Sequence, residues 1–365
     1  MEESKFKYES VMQYVQRFID ENGSGKSDKL PTEEQIARTL NLSRATVQRA
    51  LKKLEQEGMI YRIQGSGTFI RSPSDSKGGS QMIPMVLCHH FNQLHGFDII
   101  RGAQNYLMNH ACHLSPYFMT SPHIQEYETI IDSLVDSGLR SIMVMVPDTS
   151  YDKEYYFRLI RQGIHIVFLD VPPCYEKRVN LVTSNHEQGG WLATEHLIEL
   201  GHTRIGMLCP HFLNVPYLAT LSHRVRGYVS AMQQHGLPLE KSLMRFCQDE
   251  DCIPAVTREI MSLPDPPTAL FVLNDRAAQE AISELRRMGL RVPEDVSVVG
   301  FDNLDVPSRP TTIRQDFYRI GYHSAQMALD LLHEQRPILK NLYLPVELLA
   351  RDTTAAPPQR ILSVV

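Results

Sequence analysis

Three polar residues stand directly behind short apolar runs: Asp170 closes HIVFLD, Asn274 follows TALFVL, and Asp302 follows VSVVGF. A carboxylate accepts paired hydrogen bonds from neighbouring hydroxyls and an amide both donates and accepts, so these side chains suit recognition of a small polyhydroxylic molecule. If the runs are parallel strands, all three residues lie at carboxyl ends, where open α/β sheets bind ligands. An Asp behind a strand also commonly caps the next helix, and Asp275 is assigned that duty for the helix starting there. Reactive constellations are missing from the sequence: it contains no HExxH, no GxSxG, no Walker loop and no GxGxxG behind a strand. His89 and His90 are adjacent, and neighbours in a strand point to opposite faces, so the pair does not make one metal site. No catalytic residue, no metal and no cofactor is predicted.

A second chemistry lies near the N-terminus. Between Arg38 and Arg71 stand seven basic residues against only Glu55 and Glu57. Up to Ser72 the chain holds 12 Lys and Arg against 10 Asp and Glu, a net of +2, while the remainder holds 25 against 32, a net of −7. A local basic patch is an electrostatic footprint for nucleic acid, although a charged run is also how any solvated helix face looks. The elements beneath it argue for the first reading. Tyr8, Val11, Met12, Val15, Phe18 and Ile19 recur at helical spacing. Thr32 and Gln35 form a capping box for a second helix, Asn41 and Leu42 turn, and Ser43 caps a third. In that third helix Val47, Ala50, Leu51 and Leu54 share one face, leaving Ala45, Gln48, Arg49 and Lys52 on the other with Arg44 at its start. Helix, short turn, helix is the geometry that lays a helix in a DNA major groove. Residues 59–64 and 68–71, joined by Gly65-Ser66-Gly67, predict a β-hairpin beside it.

The 365 residues are 42% hydrophobic and 22% charged, an ordinary globular composition for two or three folded units. No stretch approaches 18 uninterrupted apolar residues and no leader-like apolar run follows the first lysines, so a cytoplasmic protein without membrane contact is predicted. The six cysteines form no CxxC pair, which predicts reduced thiols. SPSDSKGGS at 72–80 reads as a linker. Beyond it, apolar runs at 82–88, 141–146, 165–170, 204–209, 268–273 and 296–301 alternate with helical patterns at 97–112, 124–137, 187–200, 224–235, 275–288 and 317–335. Continuous apolar strands between helices predict parallel sheets buried on both faces. About 270 residues is long for one such sheet, so two lobes are expected. The resulting organisation is 1–72 head, 73–82 linker, 83–354 body and 355–365 tail.

The segment LPTEEQIARTLNLSRATVQRALKKLEQEGMIYRIQGSGTFI resembles the winged helix-turn-helix head of the GntR family. That resemblance implies that Arg44 and Thr46 meet base edges or phosphates, with Gln48 and Arg49 nearby and Gly67 bringing the wing tip to the minor groove. Many members have an Arg where this chain has Glu34, and that role is not carried over. VTSNHEQGGWLATEHLIELGHTRIGML, RVRGY, FVLNDRAAQEAISELRRMGLRVPEDVSVVGFDN and TTIRQDF resemble the sugar-binding body of LacI/GalR regulators, itself similar to type I periplasmic binding proteins. The combination is that of the bacterial arabinose-repressor branch. The implied fold is a two-lobed α/β body of doubly wound parallel sheets behind an α+β winged helix-turn-helix domain. The implied effector cleft is lined by Asp170, Arg224, Asn274, Asp302, Gln315 and Phe317, with Arg224 located by its spacing to Gly227; Phe97 and Asp98 are weaker additions. The chain departs from many members at Asn185-His186 and at Ser308-Arg309-Pro310. The expected function is a transcription regulator, a repressor released from double-stranded operator DNA by a small carbohydrate-like effector and acting as a homodimer. The alternative is a sugar-binding protein or a cryptic sugar-modifying enzyme without a transcriptional role.

Overall fold

The computed structural model describes residues 10, 11, 14, 15, 18, 30–56, 60–63, 67–70, 81–88, 96–119, 124–145, 153–171, 173, 176–210, 219–247, 252–333 and 339–358. The chain forms two compact units, Met1–Gln81 and Met82–Val365.

In the first unit, residues 10, 11, 14, 15 and 18 are helical; Tyr8, Met12 and Ile19 lie outside the described residues. Helices α1 (Glu33–Leu40) and α2 (Arg44–Gln56) follow, then strands β1 (Ile60–Ile63) and β2 (Gly67–Ile70), paired antiparallel. The local signals act as their chemistry requires. Thr32 Oγ1 accepts from the Gln35 N–H while Gln35 Oε1 accepts from the Thr32 N–H, the reciprocal bonds of a capping box. Asn41 takes the left-handed conformation at φ 52°, which its short polar side chain tolerates. Val47, Ala50, Leu51 and Leu54 meet Val11, Val15, Ile36 and Ile60 in one small core. The backbone N–H of Leu30 donates to the Thr68 carbonyl at 2.8 Å, tying the hairpin to the segment before α1.

The second unit contains two six-stranded sheets. The first has the order β13-β7-β6-β5-β3-β4, from β3 (Gln81–Leu87), β4 (Cys112–Phe118), β5 (Ser141–Val144), β6 (His165–Leu169), β7 (Asn180–Ser184) and β13 (Asn341–Leu344). The second has the order β14-β12-β11-β10-β8-β9, from β8 (Ile205–Cys209), β9 (Met244–Phe246), β10 (Ala269–Val272), β11 (Ser297–Asp302), β12 (Thr311–Arg314) and β14 (Glu347–Leu349). Helices α3 (Gly96–Met108), α4 (Ile124–Asp136), α5 (Lys153–Arg161) and α10 (Phe317–His333) belong to the first lobe. Helices α6 (His186–Glu199), α7 (Ala219–Gln234), α8 (Ile253–Met261) and α9 (Asp275–Arg287) belong to the second. Two doubly wound lobes are therefore what the alternation predicts and what the chain forms.

The chain passes between lobes three times: between β7 and α6, between β12 and α10, and between β13 and β14. His186 opens α6 at the first crossing and Gln315 lies in the second. Each lobe locks one helix pair by a backbone-to-backbone approach. A Cβ at Gly321 of α10 would run into the Ile99 carbonyl of α3, and one at Gly227 of α7 would run into the Glu187 carbonyl of α6. No side chain fits at these crossings, which is why glycine stands there despite its poor helix propensity.

Several readings need correction. The helical pattern carried to Cys112 stops at Met108, and Cys112 opens β4 instead. Helices α5 and α8 and six strands, β4, β7, β9, β12, β13 and β14, carry signals too short or too polar for the periodicity reading. β3 starts at Gln81, two residues inside the segment read as linker, and Ala355 hydrogen-bonds to Ser297, so the start of the tail lies against the second sheet. Asn274, not Asp275, is the N-cap of α9: its Oδ1 accepts from the Ala277 N–H at 2.7 Å. Cys247 and Cys252 are brought side by side, with Cα atoms 5.9 Å apart, an approach that spacing rules for CxxC do not cover. His89 and His90 lie outside the described residues.

Candidate effector site and nucleic-acid interface

The two lobes each end a strand on an aspartate with left-handed backbone, Asp170 behind β6 at φ 64° and Asp302 at the end of β11 at φ 100°. Non-glycine residues in this region are strained, and such strain persists where the surroundings hold it, often at ligand sites. Both side chains are buried.

Around Asp302 a charged cluster assembles. Arg224, on α7 one turn before Gly227, donates from Nη2 to Asp302 Oδ1 at 2.7 Å. Gln315 Nε2 donates to the same oxygen, also at 2.7 Å. The carboxylate thereby fixes the amide's orientation, because turning the Gln oxygen toward it would set two acceptors face to face. Gln315 Oε1 is buried and has no hydrogen-bond partner. Leaving such a group unsatisfied costs about 1–3 kcal/mol, so a donor, water included, is called for at this oxygen. The guanidinium of Arg224 further donates from Nη1 to the Leu273 carbonyl and from Nε to His186 Nδ1 at 3.3 Å, and it lies over the Phe301 ring at 3.7 Å from the centroid. Three of its five N–H donors are thus held by the protein.

Beneath this cluster, Asp275 accepts from Thr312 Oγ1 at 2.7 Å and from the Leu304 N–H at 2.8 Å. Burial, and then the neighbouring Asp302 charge, push its carboxyl up to about 7. His186 is fully buried; desolvation, then the adjacent Arg224 charge, drive its imidazole well below the ordinary histidine range.

Of the six effector-site residues inferred from sequence, Arg224, Asp302 and Gln315 form one hydrogen-bonded set. Asp170 joins it through its backbone: Thr183 Oγ1 donates to its carbonyl and lies 3.4 Å from His186 Nε2. Asn274 spends its carbonyl oxygen on the α9 cap. Phe317 packs into the apolar core of the first lobe and is 6% exposed. Asp98 pairs with Arg101 at 2.8 Å and Phe97 is 72% exposed, so the first turn of α3 is not gathered into the Arg224 cluster. Sequence reasoning did not assign His186, Thr183 or Phe301 to the site. Phe301 had a visible signal, its place directly before Asp302; His186 showed only as a departure from the family pattern.

In the first unit, Ala45, Gln48, Arg49 and Lys52 are exposed on α2, opposite its buried face. Arg44 is exposed and 3.6 Å from Glu33. The Thr46 hydroxyl lies 2.7 Å from Ser43 Oγ and is only partly exposed. Gly67, exposed at φ 129°, opens β2 in a conformation that a Cβ would strain. Glu34 pairs with Arg38 at 2.9 Å, which presents an arginine one turn further along α1. Among the described residues, no group of three or more His, Cys, Asp and Glu could hold a metal ion, and no helix is long and apolar enough to cross a membrane.

The model for bacterial regulatory proteins of the gntR family matches residues 7–70, and that for a periplasmic binding protein-like domain matches residues 194–354. The arabinose metabolism transcriptional repressor of Geobacillus stearothermophilus is 31% identical over 363 residues, covering 95% of this chain and 97% of that protein. The chain belongs to this family of transcriptional repressors. The repressor joins a GntR-type DNA-binding head to a periplasmic-binding-protein-like body. Among solved structures, the transcriptional regulator CelR in complex with cellobiose aligns with a TM-score of 0.65 at 22% identity, covering 89% of the repressor and all of that chain. The lac repressor dimer bound to operator and the anti-inducer ONPF aligns with a TM-score of 0.63 at 25% identity, covering 76% and 96%.

Proposed function

We propose that the protein is a homodimeric repressor that holds double-stranded operator DNA with its head and releases it when a neutral sugar closes the two lobes of its body. The observation that carries this reading is the buried Gln315 Oε1 at a crossing between lobes, unpartnered beside a paired Arg224 and Asp302. A hydroxyl donor completes that set. A vicinal hydroxyl can bond the second Asp302 oxygen, since both protein donors land on Oδ1. Arg224, Asn274, Asp302 and Gln315 are read as the polar contacts on the second lobe and its crossing, Asp170 as the contact from the first, and Phe317 as the apolar wall at the base of α10. Arabinose is the first sugar to test, because it figures in the name of a relative that spans nearly the whole chain.

On DNA, Arg44, Thr46, Gln48 and Arg49 are assigned to the major groove and Gly67 to the wing tip. The head, residues 1–72, is joined to the body through a linker that starts at 73 and ends where β3 begins at Gln81, and the start of 355–365 belongs with the body. We assign no catalysis to the cleft, whose charged groups pair with one another, and no cofactor. A regulator of this kind works in the cytoplasm, where the DNA is, without membrane contact.

The test is selection of operator sequences from a random duplex library by the full chain, followed by release with arabinose and a panel of pentoses, hexoses and disaccharides. Arg44→Ala is expected to weaken operator binding by about 1–3 kcal/mol, and wild-type affinity to fall steeply with salt. Absence of any enriched sequence, or a monomer by light scattering on and off DNA, overturns the reading.

A further inference from the structure

We propose that His186 is a positioning residue of the effector site, a neutral imidazole that accepts from Arg224 at Nδ1 and ties the second lobe's charged cluster to the first lobe's Asp170 through Thr183. The proposal rests on the effector reading above but stands on geometry of its own.

Arginine has no acceptor, so the 3.3 Å approach of its Nε to His186 Nδ1 is productive only if Nδ1 carries no proton. The proton then sits on Nε2, which faces Thr183 Oγ1 at 3.4 Å. That hydroxyl in turn donates to the Asp170 carbonyl. The direction of every bond is fixed from one end: Arg224 can only donate and a backbone carbonyl can only accept. The chain therefore runs from Asp302 through Arg224, His186 and Thr183 to the backbone of Asp170, joining the two left-handed aspartates of the two lobes.

The place of His186 gives the chain its consequence. It is the first residue of α6, directly behind the crossing from β7, so its ring lies where the chain passes from one lobe to the other. The ring also lies 5.9 Å from Phe301 in a near-parallel stack, and Phe301 carries the Arg224 guanidinium on its face. Held by Leu273 from one side, Asp302 from another and His186 at Nε, the guanidinium plane has one orientation available to it. Without His186 the Nε donor loses its partner, and the fork is free to turn from the ligand side.

The groups facing the imidazole are Arg224 and His223 from α7 and the Asp170 carbonyl from behind β6, with Asp302 acting through Arg224. Two cationic or potentially cationic neighbours and complete burial oppose a second proton on the ring.

The decisive measurement uses the full chain without ligand, labelled with nitrogen-15 in histidine, with the His186 resonances identified by their loss in His186→Asn. The expected result is a neutral ring protonated at Nε2, unchanged from pH 8 down to pH 5.5. A ring protonated at Nδ1, or one doubly protonated within that range, overturns the proposal whatever the effector proves to be. Binding variants then test the positioning role with arabinose as probe. Asn places its Oδ1 on the same atom position as Nδ1, whereas Gln places its oxygen nearer Nε2. His186→Asn, which keeps the acceptor for Arg224 but not the link to Thr183, is therefore expected to bind arabinose more tightly than His186→Gln, which is expected to lose tenfold or more. Equal affinities for the two variants, or the reverse order, overturn the positioning role. If wild type ignores arabinose, that choice of sugar fails, while the tautomer measurement still decides the proposal.

Discussion

The two lobes of the body share a plan and differ in how they hold their aspartates. In each, an apolar parallel strand ends in an Asp with positive φ, and a glycine lets two helices touch backbone to backbone. In the second lobe, the Asp302 side chain is fixed by two charged or amide donors and an aromatic-backed arginine. In the first, the Asp170 backbone is fixed, by the Thr183 hydroxyl at its carbonyl and by its own N–H to Val182. The difference teaches that the same strand-end geometry can serve two purposes. One lobe carries a pre-paired charge cluster; in the other, two hydrogen bonds hold the main chain from which the carboxylate projects.

The matched pair Asp302→Asn and Asp170→Asn tests that contrast most directly, since Asn tolerates the left-handed backbone and removes only charge. Asp302→Asn leaves the buried Arg224 without a counter-charge, and breaking such a pair costs about 3–5 kcal/mol. Effector affinity is expected to fall roughly a hundredfold or more by titration calorimetry, and the unfolding midpoint to drop with it. Asp302→Asn binding the effector like wild type would end the claim that the second lobe carries the clamp.

The glycine crossings come next. Gly227→Ala and Gly321→Ala each press a methyl group into a carbonyl of the facing helix, and overpacking of this kind costs about 1–3 kcal/mol. Both should lower stability in urea unfolding. Only Gly227→Ala should also weaken effector binding, because Arg224 rides on α7 one turn before that glycine. Equal loss of binding in both variants would erase the distinction between the lobes.

Asp170→Asn is expected to weaken the effector by about 1 kcal/mol, the worth of an ordinary hydrogen bond, measured in the same calorimeter. A loss as large as that of Asp302→Asn would make the two lobes equal partners.

The last effect concerns pH. The carboxyl of Asp275 is raised to about 7 in the folded protein from an ordinary value of 3.8, so between these values the folded state binds the proton more tightly than the unfolded chain. This group's contribution to stability is therefore greatest at the acid end and declines as pH rises through 7. Thermal unfolding from pH 5 to 8 should show that decline, and Asp275→Asn should flatten it. An unchanged pH profile in the variant would remove Asp275 from the account of the second lobe.

Much of this was legible before any coordinates. The capping box of Thr32 and Gln35, the two faces of α2 and the left-handed Asn41 are local chemistry, decided within a few residues of chain. The parallel strands β3, β5, β6, β8, β10 and β11 announced themselves as apolar runs, whereas β7 (NLVTS) and β12 (TTIR), equally interior, did not, because Asn, Ser and Thr interrupt their runs. The edge strands did not: β4 reads CHLSPYF, with half its side chains near solvent, and no periodicity separates it from a loop. The site divides along the same line. Asp170 and Asp302 stand at strand ends and could be picked from the sequence; Arg224 came by resemblance through its distance to Gly227. That His186 meets Arg224, and that Arg224 and Gln315 meet Asp302, depends on residues 38, 78 and 13 apart in the chain being brought together by lobe crossings and a glycine contact. Sequence determines which groups can donate and which can accept. Only the packing of α7 on α6 and the path of the crossings decided which of them meet.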